Sequence, residues 1–304
     1  MVRGYVPLLL IVAGIWGASY LFIKVAVREI EPTAMIDLRL WLAALVLVPF
    51  LAMRLGVGPA VAEIRSAGGG ALVLGIFNMA LPFTLIAWGE KHIDSGVAAI
   101  ANATVSIFVA LLAIRFRPSE RAAGLKLVGI VLGLVGVGVL TGLHPQGGWW
   151  GVAGTLAVVV ASLSYAAAYL YTPRRFPRTS PLVITTSSSI VAAAALLPVA
   201  LFQLPGEMPS WKALASVAAL GVAGTAVALI LFYAMISRYG ALRASLVTYL
   251  TPPFALFYGV VFLSERMTLN AILGLLLILA GVSLGSGFMQ LARRREAAPA
   301  TPRP

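Results

Sequence analysis

The chain carries few of the side chains from which catalytic or metal sites are built. It has no cysteine and only two histidines, His92 and His144, and it lacks the HExxH, GxSxG and P-loop motifs. Without cysteine, thiolate nucleophiles, disulfides and Cys-ligated zinc or iron–sulfur sites are excluded. We therefore expect no catalytic residue, no cofactor and no metal site, and a membrane enzyme is the weaker alternative.

Polar and aromatic side chains inside long apolar segments are the better candidates for a functional site. A polar group in lipid is costly unless it faces protein or a water-filled cavity, and aromatic rings can stack on a flat molecule or hold a cation. For the rings, packing between helices explains the pattern equally well. We predict that six such side chains line a binding site for a small molecule: Trp16, Tyr20, Asn78, Asn102, Tyr165 and Tyr249.

The segments that carry these residues are too apolar for water. Hydrophobic residues make up 61% of the 304 positions, charged residues only 11%, and the mean hydropathy is +0.99, whereas soluble domains have about 25% charged residues. An integral membrane protein of ten helices, surrounded by membrane lipid, is therefore expected, because about 20 apolar residues span the bilayer as a helix. The segments cover about residues 5–23, 34–53, 70–88, 95–114, 125–143, 149–170, 182–202, 211–236, 242–263 and 269–291.

Basic residues are unevenly distributed between the loops. With the N-terminus in the cytoplasm, sixteen Lys and Arg residues fall inside and five fall outside, in agreement with the positive-inside rule. Both termini are then cytoplasmic, and the polar tail 292–304 is expected to be disordered. Since topology explains the net charge of +12, we expect no nucleic-acid partner.

A shift of 145 residues superimposes the two halves of the chain. Five helices are an odd number, so a second half with the same order enters the membrane from the opposite side. Secondary transporters use this inverted repeat and bind their substrate near the midplane, and we predict repeats at residues 5–143 and 149–291. The matches are Ser119-Glu120-Arg121 with Ser264-Glu265-Arg266, Gly136-Val137 with Gly281-Val282, and Ser19-Tyr20 with Ser164-Tyr165.

One stretch of the first helix carries a family resemblance. Trp16-Gly17-Ala18-Ser19-Tyr20 with Lys24 resembles the first-helix signature of the EamA type of the drug/metabolite transporter superfamily. Each half also ends, as in that family, with Ser-Glu-Arg followed by a Gly-x6-Gly helix, and the resemblance covers about residues 5–290. It implies ten helices, cytoplasmic termini and export of metabolites across the inner membrane by alternating access through a central cavity. In the second half, Ala161-Ser162 replaces Trp16-Gly17, which predicts an asymmetric pathway.

The whole chain is similar to the bacterial exporters of aromatic amino acids in that group. We therefore expect export of amino acids, with aromatic or bulky apolar ones favoured; drug-like cations or other small metabolites are the alternative. Asp37 beside Arg39 is the only acid assigned to a span, and Glu90 is assigned to an outer loop. A paired carboxylate is poorly suited to carry protons, so we expect movement of the cargo down its own gradient.

Small residues follow one face of the fifth and of the tenth segment. Such faces let membrane helices approach closely, which predicts that the fifth and tenth helices serve as a scaffold or as a homodimer face, remote from the cargo. The residues are Gly129, Gly133 and Gly136 in the fifth segment, and Gly274, Gly281 and Gly285 in the tenth.

Overall fold

The computed structural model describes residues 4–116, 125–141 and 148–285, and they form helices joined by turns. The first half contains α1 (Tyr5–Ala26), α2 (Pro32–Leu55), α3 (Val57–Glu90), α4 (Ser95–Asn102, resuming at Val105–Phe116) and α5 (Leu125–Thr141). The second half contains α6 (Gly148–Arg175), α7 (Pro181–Phe202), α8 (Trp211–Tyr239), α9 (Val247–Leu263, after a single turn Ala241–Ala244) and α10 (Leu269–Gly285).

Each of the ten apolar segments coincides with one of these helices. Seven are long and apolar enough to cross a membrane, and shorter apolar helices at Leu127–Leu140, Val247–Leu263 and Leu269–Leu284 complete the set. The predicted fold class, an all-α integral membrane protein with two inverted five-helix repeats, is confirmed. Most of the predicted boundary at residues 143–149, and the tail 292–304, lie outside the described residues.

The third helix begins earlier than its hydropathy indicates. It starts at Val57, whereas the apolar segment starts near Gly70, and the chain changes direction at Gly68, where φ is +46° and ψ is −134°. Glycine tolerates this backbone conformation because it has no Cβ. Residues 57–67 therefore form a separate helical stretch before the part of α3 that spans the membrane.

The helix pairs follow the symmetry of the repeat. In the first half α1 packs against α8 and α9, and in the second half the equivalent helix α6 packs against α3 and α4. Other close pairs relate equivalent helices to each other, since α2 lies along α7 and α5 lies along α10. The surface between the two repeats therefore runs through the centre of the bundle, and a large cluster of buried apolar side chains fills it.

Two equivalent helices widen at the same position. A π-helical segment interrupts α3 at Ile76–Ala80 and α8 at Val222–Val227, and the 145-residue shift moves the first to residues 221–225, where it overlaps the second. Short π segments inside α-helices are rare and occur frequently at functional sites. Their position halfway along each helix marks the depth at which the two repeats meet.

Glycines bring α5 and α10 into close contact, as their pattern predicted. A Cβ added at Gly281 would lie 2.6 Å from the carbonyl oxygen of Gly129 and from the backbone nitrogen of Gly133. On α5 itself, Gly138 faces open space, with nothing within 4 Å of an added Cβ. The two backbones therefore touch along one face of α5.

This contact predicts a selective effect of one added methyl group. Overpacking a close contact typically destabilises by about 1–3 kcal/mol, so Gly281→Ala should lower the thermal unfolding midpoint of the purified protein in detergent. Gly138→Ala is the matched control, and it should leave the midpoint unchanged or raise it because alanine favours the helix. Equal midpoints for the two variants would contradict the packing of α5 against α10.

Candidate functional site

The bundle has two ends, between which the candidate site lies. We call the end at which α1 begins the proximal end and the end at which α1 finishes the distal end. Tyr5 and Tyr239 meet at the proximal end, with ring centroids 5.3 Å apart. The turns that follow α1 and α3 lie at the distal end, because α3 crosses the bundle in the same direction as α1.

A buried arginine lies near the middle of the bundle. Arg39, on α2, is only 5% exposed, and its guanidinium carbon lies 4.1 Å above the ring centre of Phe83 on α3. Its Nε donates a hydrogen bond to Thr225 Oγ1 at 2.9 Å. Within the described residues, its terminal nitrogens have no hydrogen-bond acceptor and no carboxylate forms an ion pair with it.

The partner of this arginine comes from the π segment of α8. The Thr225 hydroxyl donates to the carbonyl oxygen of Leu220 at 2.9 Å, five residues earlier, and accepts from Arg39 with its free lone pair. The widened turn therefore presents a polar group to the centre of the bundle. A residue of the first repeat is thus held by one of the second.

A second polar link joins α1, α4 and α6. Asn102 Nδ2 donates to the Tyr20 hydroxyl at 2.9 Å, and Ser162 Oγ lies 3.2 Å from Asn102 Oδ1. Asn102 ends the first part of α4, and Ser162 also lies 3.3 Å from its backbone carbonyl oxygen. The break in α4 therefore supplies polar groups at the surface between the repeats.

Further aromatic rings lie beside the arginine and Phe83. Tyr165 lies edge-to-face with Phe83 at 6.3 Å and stacks with Tyr169 at 6.2 Å between ring centres. Tyr20 and Tyr165 both lie close enough to Arg39 to interact with its charge. We call the following six residues the central cluster: Tyr20, Arg39, Phe83, Asn102, Tyr165 and Thr225.

The structure brings three of the six predicted site residues together in this cluster, namely Tyr20, Asn102 and Tyr165. Trp16 instead packs against Phe232, with ring centres 5.0 Å apart, in an apolar cluster of the proximal half. Tyr249 packs, half-buried, against the large apolar core.

The sixth, Asn78, lies on the π segment of α3, and its Oδ1 is buried without a hydrogen-bond partner in the described part of the chain. The nearby Phe77 carbonyl oxygen accepts a hydrogen bond from Ser164 Oγ at 2.7 Å. The π segment therefore offers polar groups to α6 of the other repeat. Trp16, Asn78 and Tyr249 all lie apart from the arginine.

Three residues of the central cluster were not predicted as site residues from the sequence: Arg39, its partner Thr225, and Phe83. Arg39 was treated as the charge partner of Asp37, but its side chain points into the bundle and binds Thr225. Asp37 lies in a groove between α2 and α7 beside Leu197 and Leu201. The two residues are two positions apart on one helix and so face different directions. The available signal was that Arg39 is the only basic residue well inside an apolar segment.

Lysine and glutamate side chains seal the distal end. Lys24 Nζ donates to the backbone carbonyl oxygens of Glu90 at 2.6 Å and Ile93 at 2.7 Å, where α3 ends. Glu265 accepts from the backbone nitrogen of Ser95 at 2.8 Å and from its hydroxyl at 2.9 Å. It therefore caps α4, a helix of the other repeat. Both charges suit the helix ends that they meet.

Exposed groups add further links at this end. The Glu29 carboxylate accepts from the backbone nitrogen and the hydroxyl of Ser210, at 2.6 and 2.7 Å, and these hydrogen bonds hold the pKa of Glu29 below its usual value. Lys91 and Glu31 form an ion pair at 2.8 Å, which contributes little because it is exposed. Burial, and then the charge of Glu265, raise the pKa of Asp94. The two repeats are therefore joined across the distal end.

Glu90 is not in an outer loop, as the sequence suggested, but is the last residue of α3 and fully buried. Neither carboxylate oxygen has a hydrogen-bond partner among the described residues. Lys24 binds the backbone carbonyl of this residue and not its side chain. An acid within the bundle was therefore overlooked.

Comparison with known proteins gives consistent matches over nearly the whole chain. The profile of the EamA-like transporter family matches residues 4–142 and 152–286. The uncharacterized transporter YoaV of Bacillus subtilis is 26% identical, over 90% of this chain and 93% of its own. The uncharacterized inner membrane transporter YedA of Escherichia coli K12 is 26% identical, over 81% and 78%. A probable amino-acid metabolite efflux pump of Salmonella typhimurium is 25% identical, over 92% and 93%.

The fold also matches a solved structure. One crystal structure superimposes with a TM-score of 0.65 and 19% sequence identity, over 97% of this chain and 99% of the other. At this level of identity the likeness concerns the fold alone. It covers both repeats, so the helix arrangement described above is shared over its full length.

Proposed function

Because the chain belongs to the EamA-like transporter family, we propose that it exports amino acids across the inner membrane by alternating access between its two repeats. Amino acids with aromatic or bulky apolar side chains are the favoured cargo. Membership of this family indicates a membrane transporter whose substrate is a small molecule. The cargo site is the central cluster.

Arg39 is the observation that carries this proposal. A cation buried at this depth is expensive and is kept where it meets a partner or a substrate. Its terminal nitrogens have no acceptor among the described residues, and a guanidinium matches the two oxygens of a carboxylate. A carboxylate-bearing cargo would complete the interactions of Arg39, whereas a drug-like cation would be repelled by it.

The remaining residues of the cluster suit the other parts of an amino acid. The rings of Phe83 and Tyr165 offer surfaces on which an apolar or aromatic side chain can pack. Tyr20 and Asn102 offer hydrogen-bonding groups. We place Trp16, Asn78 and Tyr249 along the path of the cargo: they come from α1, α3 and α9, which border the surface between the repeats.

Two relatives support the finer parts of the proposal. The Salmonella relative named as a probable amino-acid metabolite efflux pump supports the cargo class, and the relative named as an inner membrane transporter supports the location. A homodimer through α5 and α10 is not required, because both repeats that form the cluster belong to one chain. The prediction of gradient-driven transport assumed that Glu90 lies in an outer loop, but Glu90 is buried inside the bundle.

Ring removal within the cluster tests the cargo site. Loss of a stacking ring weakens an interaction by about 0.5–1.5 kcal/mol beyond the area that it buries, or roughly tenfold at the upper end. Tyr165→Ala should therefore raise the half-saturating phenylalanine concentration in proteoliposome exchange by about tenfold. Tyr249→Ala, outside the cluster, should have a smaller effect. A larger effect of Tyr249→Ala than of Tyr165→Ala would indicate that the cargo binds nearer to α9.

The orientation of the chain is the second part of the proposal. We assign the proximal end to the cytoplasm, because the basic excess lies in its loops. In this cysteine-free chain, single cysteines at Arg175, Arg238 and Glu207 can be labelled with a membrane-impermeant maleimide on intact cells. Only the cysteine at position 207 should react. Labelling at 175 or 238 from outside would invert the topology.

A further inference from the structure

We propose that Glu90 couples transport to protons. Its carboxyl group must be neutralised before the distal end can close, either by a proton or by the ammonium group of the cargo. The protein is then a proton/amino acid antiporter. The role of the cargo rests on the proposed function, whereas the proton step rests on Glu90 alone.

The burial of Glu90 is the first support. Its side chain is fully buried, and both carboxylate oxygens lack a donor in the described part of the chain. An ionised carboxylate in such a place is strongly unfavourable, whereas a protonated one is tolerated. Glu265, by contrast, accepts hydrogen bonds from the Ser95 backbone nitrogen and hydroxyl.

The surroundings of Glu90 are set by four groups from different elements. Lys24 on α1 and Arg39 on α2 bring positive charge, and Glu265 from the turn before α10 brings negative charge. The Tyr20 hydroxyl lies within electrostatic reach and donates no hydrogen bond to the carboxylate. Lys24 is engaged by backbone carbonyl oxygens, so neither cation pairs directly with Glu90 in this closed arrangement.

Glu90 is also close to the cargo site. It follows Phe83 by seven residues, which places both on the same face of α3, about 10 Å apart along the helix. Lys24 likewise follows Tyr20 by four residues on α1, one turn towards the distal end. The carboxyl group therefore lies between the central cluster and the distal seal, where a cargo leaving through the distal end must pass.

These facts define an exchange cycle. When the distal end is open, water stabilises the Glu90 carboxylate. When it closes without cargo, the carboxylate loses that water and must first bind a proton from the distal side, forming a neutral carboxylic acid. In the form that is closed at the distal end, cargo enters from the proximal side. Its ammonium group then balances the charge of the Glu90 carboxylate, and the proton of Glu90 is released to the proximal side. Proton and cargo therefore cross in opposite directions, and the empty, ionised form cannot close.

Closure depends on protonation at the distal end only. The 145-residue shift places Tyr169 at the position of Lys24 and Met235 at the position of Glu90. Met235 is fully buried in an apolar cluster of the proximal half. Since neither replacement carries a charge at neutral pH, closing the proximal end requires no change of protonation there.

The test uses full-length protein in proteoliposomes with phenylalanine as the probe. With equal phenylalanine on both sides, a pH difference should drive net accumulation by the wild type. Glu90→Gln should still exchange labelled phenylalanine for unlabelled, with a raised half-saturating concentration, but should lose the accumulation completely. Asp37→Asn is the matched control: it also removes an acid from an apolar segment, but one in the groove between α2 and α7, and it should keep the accumulation.

The outcomes separate the two proposals. Exchange without any response to pH in the wild type, or a normal response in Glu90→Gln, would overturn the coupling and leave the proposed function intact. If no amino acid exchanges, the proposed function fails, and infrared difference spectra between acid and alkaline buffer test the proton step alone. Other carboxyl groups also titrate, so the informative band is the one that is present in the wild type and in Asp37→Asn but missing from Glu90→Gln; identical difference spectra for the wild type and Glu90→Gln would overturn the inference.

Discussion

Arg39→Met is expected to abolish measurable amino acid transport at ordinary substrate concentrations. Truncating one partner of a buried, hydrogen-bonded charge pair typically costs about 2–5 kcal/mol, and the lower figure alone weakens binding about 30-fold. The protein should still reach the membrane, because replacing a buried charge with an apolar side chain of similar size is often neutral or stabilising. The half-saturating concentration in phenylalanine exchange measures the effect.

Two further variants separate the charge of Arg39 from its geometry and from its hydrogen bond to Thr225. Arg39→Lys keeps the charge and loses the planar fork that matches a carboxylate, so it should bind more weakly than the wild type and more tightly than Arg39→Met. Thr225→Val removes the hydroxyl that holds Nε and should have a smaller effect than either. A half-saturating concentration within threefold of wild type for Arg39→Met would show that Arg39 does not hold the cargo.

Glu265→Ala should shift the protein towards a form open at the distal end. Its carboxylate accepts hydrogen bonds from the Ser95 backbone nitrogen and hydroxyl, and hydrogen bonds to charged groups contribute about 1.5–3 kcal/mol each. Even about 2 kcal/mol changes the ratio of closed to open forms roughly 30-fold. Glu207→Ala, in the exposed turn before α8, is the control and should change nothing.

A buried cysteine reports this opening. Ala87 is fully buried, one turn before Glu90, and Ala87→Cys should react slowly with an impermeant maleimide in intact cells. Adding Glu265→Ala should accelerate labelling by roughly 30-fold, whereas adding Glu207→Ala should leave the rate unchanged. Equal labelling rates in both double variants would show that Glu265 does not hold the distal end closed.

The architecture could be predicted from the sequence because lipid leaves few alternatives. Backbone groups in the bilayer must be satisfied within helices or closed barrels, so ten long apolar runs gave the number of helices. The glycine faces of α5 and α10 were read correctly for a similar reason, since only residues without a side chain allow such close contact. Tyr20 and Tyr165 were found because a single shift aligns them in equivalent helices.

The polar centre was less predictable because hydropathy does not show which way a side chain points. Arg39 is the sixth residue of its apolar segment, a position from which a long basic side chain could equally have reached the membrane surface. Glu90 was assigned to a loop because the predicted apolar segment ends at Trp88, two residues before the end of α3 at Glu90. Thr225 acquires its role from a π segment, which leaves no mark in the apolar pattern.

The most direct test of amino acid binding at Arg39 is competition in proteoliposomes. Exchange of labelled phenylalanine is measured with an excess of unlabelled phenylalanine, phenylalanine amide or a cationic dye. The proposed mechanism predicts that phenylalanine competes and that the amide and the dye, which lack a carboxylate, compete at least about 30-fold more weakly. Equal competition by phenylalanine and its amide would show that the carboxylate is not recognised. Strong competition by the dye would assign the protein to the export of cations.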